Sequence, residues 1–308
     1  MGQLLGTNNL GGYFSNPPLS AKNRVIAQPT MKFRAFTDVS SAIGSQNGDS
    51  FLYDKISNIQ TQGSSLTETS TVPKSNFLIT QGSLTLKEFG NSIPYTFKVD
   101  KLSQLSVPDN IRTALRNDWA KVLDSAVKSE FVSADYKVVI TTTAATTITS
   151  DGTATATATG NTSDKNVRDV VDDMKIKNCP KRANGNYVAI CSTNFIRGVY
   201  DFFEPKANLT TMSKAVDGVV GNYYGCTFIE ETNTLSNTLG SASDSGEAVF
   251  FGADAVHEGM VVPEEFRADV PKDLGRDKII GWYGLMGFQK TWDFTTDGDC
   301  RIWHVTSA

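Results

Sequence analysis

Apolar residues recur at three- and four-residue spacing in one stretch of the chain, Ile111, Leu115, Trp119, Val122 and Ala126. That period predicts an amphipathic helix over 108–133 with a single stripe turned to a core. Arg112, Arg116, Lys121 and Lys128 alternate with Asp118 and Asp124 away from the stripe. Ser106 with Asp109 three residues later reads as a capping pair, and Pro108 suits a first helical turn.

Elsewhere the pattern is that of strands. Phe51-Leu-Tyr-Asp-Lys-Ile56, Asn76-Phe-Leu-Ile-Thr80 and Ser83-Leu-Thr-Leu-Lys87 flank the polar run 60–70, which predicts a long two-stranded ribbon over 49–95. Such a ribbon is marginal alone in water and should lean on a neighbour. Thr141–Ser150 and Thr153–Thr159 alternate Thr with Ala around Asp151-Gly152. This predicts a projecting hairpin that turns at Asp-Gly, the competing reading being a low-complexity loop. Helices are predicted over 164–174, 194–203 and 214–220, with strands at Tyr187–Cys191 and Cys226–Glu230. Residues 1 to about 40 show no useful period and read as an extended arm that must lie against something else to be ordered.

The closing residues carry strand-like aromatic runs, Val249-Phe-Phe-Gly-Ala-Asp-Ala-Val256, Lys278–Lys290 and Arg301–Ala308. No titratable constellation accompanies them, which points to scaffold rather than chemistry. Gly281, Gly284 and Gly287 read as places where another backbone or a bulky ring approaches a strand.

Composition narrows the class. At 308 residues, 39% hydrophobic and 20% charged, the chain reads as globular, and no apolar run approaches the ~20 residues of a membrane helix. A membrane location is not expected, and the start lacks an export signal, so synthesis in the cytoplasm is expected. The net charge of −4 argues against a surface that grips nucleic acid throughout. Charge is unevenly placed, however. Lys22, Arg24, Lys32 and Arg34 precede any acid, whereas the predicted loop from Glu258 to Asp277 carries Glu258, Glu264, Glu265 and Asp269. Ordinary solvated faces explain each cluster singly; together they suit an arm of one copy meeting the acidic loop of another, or an arm near a polyanion.

Candidate chemistry is sparse. Cys179, Cys191, Cys226 and Cys300 make no C-x-x-C pair and read as free, buried thiols. His257 and His304 are not spaced as ligands or catalytic partners and read as structural. No nucleophile elbow, phosphate loop or dinucleotide fingerprint occurs, so no catalytic, cofactor-binding or metal-ligating residue is assigned, and the chain is not read as an enzyme.

The order of parts resembles the major capsid proteins of tailed bacteriophages, with the Hong Kong-97-like α+β fold. The resemblance is carried by Ala215-Val-Asp-Gly-Val-Val-Gly221, Tyr224–Asn233, Val249–Ala255 and Arg301–Ala308, although Val220 stands where an acid is usual. It implies an N-terminal arm and lead-in at 1–48 and an extended hairpin loop at 49–95 that overlaps a neighbouring subunit. A peripheral domain follows at 96–177, with a spine helix at 108–133 and an inserted Thr/Ala hairpin at 141–160. An α/β axial domain spans 178–246, and 247–308 supplies strands returning to the peripheral domain.

The implied function is a self-assembling icosahedral shell of hexamers and pentamers that encloses phage double-stranded DNA, touched non-specifically by basic groups of the arm and spine helix. Scaffolding, portal and decoration proteins are the implied partners, and the virion capsid is the implied location, after synthesis in the bacterial host. No coiled coil precedes the arm, which implies a separate scaffold or a removed segment. A tail or fibre component is the competing reading; an intracellular α/β hydrolase would need a nucleophile–base pair that the sequence does not supply.

Overall fold

The computed structural model describes residues 28–29, 31–41, 48–56, 59, 63–103, 106–199, 219–235, 246–269 and 273–307. Strands β1 (Asp38–Ser41), β2 (Ser50–Ile56), β3 (Ile79–Thr85) and β4 (Lys87–Thr96) come first, then helices α1 (Phe97–Leu102) and α2 (Val107–Val132). β5 (Tyr136–Thr142), β6 (Ala145–Thr149), α3 (Asp164–Ile176) and β7 (Tyr187–Cys191) follow. The later strands are β8 (Val219–Tyr223), β9 (Cys226–Glu230), β10 (Gly246–Phe251), β11 (Val256–Ala268), β12 (Asp277–Lys290) and β13 (Ile302–Ser307).

These strands form a seven-stranded sheet in the order β6-β5-β13-β10-β7-β9-β8, a four-stranded sheet β1-β11-β12-β4, and a ribbon β2-β3. The seven-stranded sheet is buried on both faces, and strand alternation divides its side chains between two cores. Ala189, Phe250, Trp303 and Val305 face α3 and the helical residues 193–199. Ile190, Val249, Phe251 and Ile302 face the second core, where Phe131 of α2 and Phe33 pack. The closing residues thus serve two sheets: β10 and β13 sit inside the seven-stranded one, while β11 and β12 build the four-stranded one.

Helix α2 joins the two sheets. Its first half lays Ile111 and Leu115 on Ile280 and Trp282 of β12, and its second half buries Leu123, Val127 and Phe131. The stripe therefore continues from Trp119 by four-residue steps to 123, 127 and 131, whereas Val122 is exposed and Ala126 only partly buried. Ser106 does occupy the N-cap, but its hydroxyl donates to Asp109 (2.6 Å) instead of receiving a backbone N–H.

Four other expectations are corrected. The Thr/Ala hairpin turns at Thr143–Ala144, pairing β5 with β6 through Val138 and Ile148, because Ile148 packs on the core while the Thr/Ala alternation past Asp151 has nothing to bury. Residues 153–159 form no strand, and the segment does not project: Gly160 packs so closely on Thr142 that a Cβ would meet its backbone at 2.7 Å. The helix expected to reach Val220 gives way to β8 at Val219, where valines suit a pleated surface; residues 214–218 lie outside the described residues, as do 200–203 of the preceding predicted helix. The predicted acidic loop is strand as far as Ala268. Finally, the 49–95 ribbon pairs with itself only through Thr85, after which β4 joins β12 over Lys87–Thr96.

Candidate assembly surface

Among the described residues, the cysteines and histidines singled out in the sequence are packed within the fold. All four cysteines are buried free thiols, and burial pushes the Cys179 thiol up to about 12. His304 sits between Glu247 (2.9 Å from Nε2) and Lys137 (3.4 Å from Nδ1), on the sheet face beneath the end of α2. His257 stacks on Phe51, with ring centroids 5.7 Å apart. Among the described residues no group of three His, Cys, Asp or Glu side chains could hold a metal ion, and no helix is long and apolar enough to cross a membrane.

What the surface does offer is the ribbon β2–β3, whose two faces differ because strand side chains alternate. The inner face is held on its own chain. Phe51 and Tyr53 pack against His257, Leu84 is fully buried, and Lys55 pairs with Asp297 at 2.6 Å. The Tyr53 hydroxyl lies 3.4 Å from the carbonyls of Lys290 and Thr291, and burial, with Asp254 and Asp297 adding to it, pushes that phenol up to about 12. Glycine is required twice here: a Cβ on Gly82 would lie 2.4 Å from the Tyr53 ring, and one on Gly287 would lie 2.4 Å from the Thr85 carbonyl oxygen. Gly287 is thus the close backbone approach that the glycine spacing predicted.

The outer face is open. Leu52, Ile56 and Ile79 are each more than half exposed, and Phe77, Leu78 and Val72 extend the apolar surface beyond the paired residues. Ile56 and Ile79 are paired across the ribbon, with Asp54 and Gln81 between them and Leu52, and large apolar side chains exposed in this way mark an interaction site. At the far end of the four-stranded sheet a second patch gathers Phe97, Val99 and Leu102 of α1, near the turn that holds Leu274. Leu274 is wholly exposed with φ +53°, next to Asp273 at φ +47°; an aspartate tolerates this left-handed conformation, whereas a leucine does not favour it.

The charged residues singled out in the sequence are only partly brought together. Arg34 forks onto Glu264 (2.8 and 3.0 Å) and also reaches Glu258 (3.0 Å), whose other oxygen accepts from Thr37 (2.6 Å). Burial alone would lower the Arg34 pKa, but its bonds to Glu264 and Glu258 outweigh that and raise it; Glu264 is correspondingly lowered despite its burial. The acid partner expected on another copy is, for Arg34, on the same chain, because β1 pairs with β11 and sets Val39 opposite Glu258. Glu265 pairs instead with Arg267 (2.7 Å), the Asp269 amide donates to the Ile279 carbonyl, and Lys32 is partly buried. Lys22 and Arg24 lie outside the described residues.

Sequence reasoning did not single out Lys55, Asp297 or Leu274. Lys55 and Asp297 are separated by 242 positions, and no local period links them. A hydrophobic residue inside the Asp-, Lys- and Gly-rich stretch 272–278 was the available signal for Leu274.

Comparison with known proteins agrees with this geometry. A family described as phage capsid protein matches residues 79–295. The chain is similar in structure to the capsid of Ralstonia phage GP4, with a TM-score of 0.70 and 13% identity over 100% of this chain and 98% of that one. It is also similar to the capsid of cyanophage P-SCSP1u (TM-score 0.68, 10% identity, 98% and 96% covered) and to the head structure of Helicobacter pylori bacteriophage KHP40 (0.64, 13%, 96% and 95%). No curated protein matches the chain.

Proposed function

The chain belongs to the phage capsid protein family and is a structural subunit of the phage shell with the Hong Kong-97-like fold, and from that premise we propose how it assembles. The ribbon's outer face lies across a neighbouring copy, and copies gather into hexamers and pentamers that close as an icosahedral shell around double-stranded DNA. One observation carries this reading: the ribbon has its inner face engaged by its own chain while Leu52, Ile56 and Ile79 stand in solvent. Covering them with a second copy removes that apolar surface from water, so assembly adds stability to a ribbon already held on its own chain. Many such contacts around a closed shell multiply a weak pair interaction.

In this reading α2 with the four-stranded sheet forms the peripheral domain, and 178–246, which supplies β7–β9 of the seven-stranded sheet, forms the axial domain at capsomer centres together with the strands β10 and β13 paired to it. Exposed Arg112 and Arg116 of α2, with Lys22, Arg24 and Lys32 of the lead-in, supply non-specific contact with the packaged DNA. The acidic strand end that carries Glu265, paired with Arg267, and Asp269 is the surface that a neighbour's arm would meet. Scaffolding, portal and decoration proteins are the remaining partners, the role is non-enzymatic, and the subunit moves from the host cytoplasm into the virion capsid.

The test is expression of the chain, alone and with a candidate scaffold, followed by electron microscopy and sedimentation. Closed shells, or hexamers and pentamers, are expected. A small monodisperse oligomer under every condition would overturn the reading. Replacing Leu52, Ile56 and Ile79 by Ser should leave a folded subunit that no longer assembles.

A further inference from the structure

We propose that Lys55 and Asp297 form a latch that holds the ribbon β2–β3 down on its own chain, and that releasing this one pair frees the ribbon to swing about its base. The base is fixed by packing. Leu84 is fully buried over Gly287, Phe51 stacks on His257, and the Leu86 amide donates to the Asp49 carbonyl at 2.8 Å, closing the ribbon where it leaves the body. Tyr53 extends this packing on His257, its hydroxyl 3.4 Å from the Lys290 and Thr291 carbonyls, and two residues beyond it the attachment changes character. Lys55 Nζ meets Asp297 Oδ2 at 2.6 Å, with side chains only 10% and 3% exposed.

That distal contact is polar and self-contained. The Lys55 ammonium lies 5.8 Å from the ring centres of both Tyr53 and Trp292. Asp297 also accepts the Asp293 amide (3.0 Å) and the Thr80 hydroxyl (3.4 Å), so it belongs to a short helical turn that is itself capped by Asp293. The turn is in turn fixed to the core through Lys290 and Asp135 (2.7 Å) and through the Phe294 amide on Asp135 (2.8 Å). Lys55 and Thr80, which face each other across the ribbon, therefore reach one carboxylate on a rigid post.

A pair of this kind gives two states rather than a continuum. Two opposite charges in a dry site are stable together, and each is stable when fully hydrated, but a ribbon lifted part-way leaves both poorly solvated and poorly paired. The latch would therefore hold one ribbon angle in the free subunit and give way as a unit. Its consequence is directional: the angle of the ribbon decides where Leu52, Ile56 and Ile79 are presented. That consequence rests on the ribbon being the contact with a neighbouring copy; the latch itself rests only on contacts within one chain.

Hydrogen exchange read by mass spectrometry on the unassembled full chain tests it. Lys55→Met and Asp297→Asn should each speed amide exchange in β2 and β3 by about tenfold or more while leaving β7 and β10 as protected as before. The charge-swapped pair Lys55→Asp with Asp297→Lys should recover part of that protection. Unchanged exchange in both single variants overturns the proposal. So does a loss of protection that spreads to β7 and β10, because the pair would then be holding the whole fold rather than the ribbon. Because the measurement uses free subunits, shells that fail to form would count against the assembly reading and not against the latch.

Discussion

Leu84 occupies the space that a side chain on Gly287 would need: a Cβ built on Gly287 falls 2.5 Å from Leu84 Cδ2 and 2.4 Å from the Thr85 carbonyl oxygen. The second contact is backbone, so β3 as a whole must move if the glycine is replaced. Gly287→Ala is expected to destabilise the chain by about 1–3 kcal/mol, the usual range for overpacking. The loss should be local. Exchange should rise in β3 and the facing part of β12 and remain unchanged in β7, and equal loss everywhere would contradict this account.

Arg34 offers a test of how the lead-in is held. Glu258 is 1% exposed, so removing the guanidinium leaves a buried carboxylate without its cation, while Arg34 keeps access to water at 27% exposure. Arg34→Ala should cost about 1–3 kcal/mol, less than a fully buried pair because of that exposure. Arg34→Lys should recover only part, since an ammonium cannot fork onto Glu264 while also reaching Glu258. A double-mutant cycle with Glu258→Gln, read by denaturant midpoints, should show a favourable coupling; additive losses would mean the contact contributes nothing of its own.

Two buried acids set an opposite pH trend. Asp124 and Glu231 have pKa values raised chiefly by burial, against hydrogen bonds from the Arg34 amide at Asp124 and from the 233–235 amides at Glu231. A raised carboxyl favours the folded state below its unfolded pKa, about 4, and loses that advantage as pH rises through the folded value. Asp124→Asn should therefore gain on the parent chain as pH is taken from about 4 to 7. Glu264, lowered by Arg34, works the other way: its contribution is present above an unfolded value near 4 and fades as pH falls through the folded value. Glu264→Gln should accordingly converge on the parent in acid. Urea unfolding at three pH values checks both slopes.

Leu274 separates stability from assembly. It is fully exposed and held at φ +53°, so Leu274→Gly removes no contact within the chain and relieves a conformation that costs an L-residue about 1 kcal/mol. The variant should unfold at slightly higher denaturant. If the exposed leucine is an inter-copy contact, the same variant should assemble less well, a combination that a merely solvent-facing loop residue would not give.

How much of this was legible follows from where the deciding contacts lie. The strands Tyr187–Cys191 and Cys226–Glu230 were readable because both are short apolar runs whose burial depends on local composition. The stripe of α2 was readable only to Trp119, because beyond it the helix leaves the four-stranded sheet for the seven-stranded one and the buried row continues at 123, 127 and 131. Asp151-Gly152 carried the strongest local turn signal, yet the register was set by Ile148 facing the core, a tertiary demand the dipeptide cannot express. The Arg34 fork and the Lys55–Asp297 pair join residues more than two hundred positions apart. Nothing in a single sequence marks such partners.

The lead-in itself yields the last prediction. The sequence predicts one extended arm over residues 1 to about 40, but Phe33 is fully buried against Phe131, with ring centroids 5.5 Å apart, and the Arg34 amide donates to buried Asp124. The boundary between arm and body therefore falls before Phe33. Deleting residues 1–27 keeps the Phe33 and Arg34 contacts and should cost the subunit less than deleting 1–37. Deleting 1–37 should cost about 3–5 kcal/mol, the range for removing a buried phenylalanine, before the lost Arg34 contacts are counted. Comparing denaturant midpoints with shell yield then separates the two roles: a 1–27 deletion that folds but assembles poorly assigns the arm to contacts between copies, and one that assembles normally shows that the arm is not needed for them.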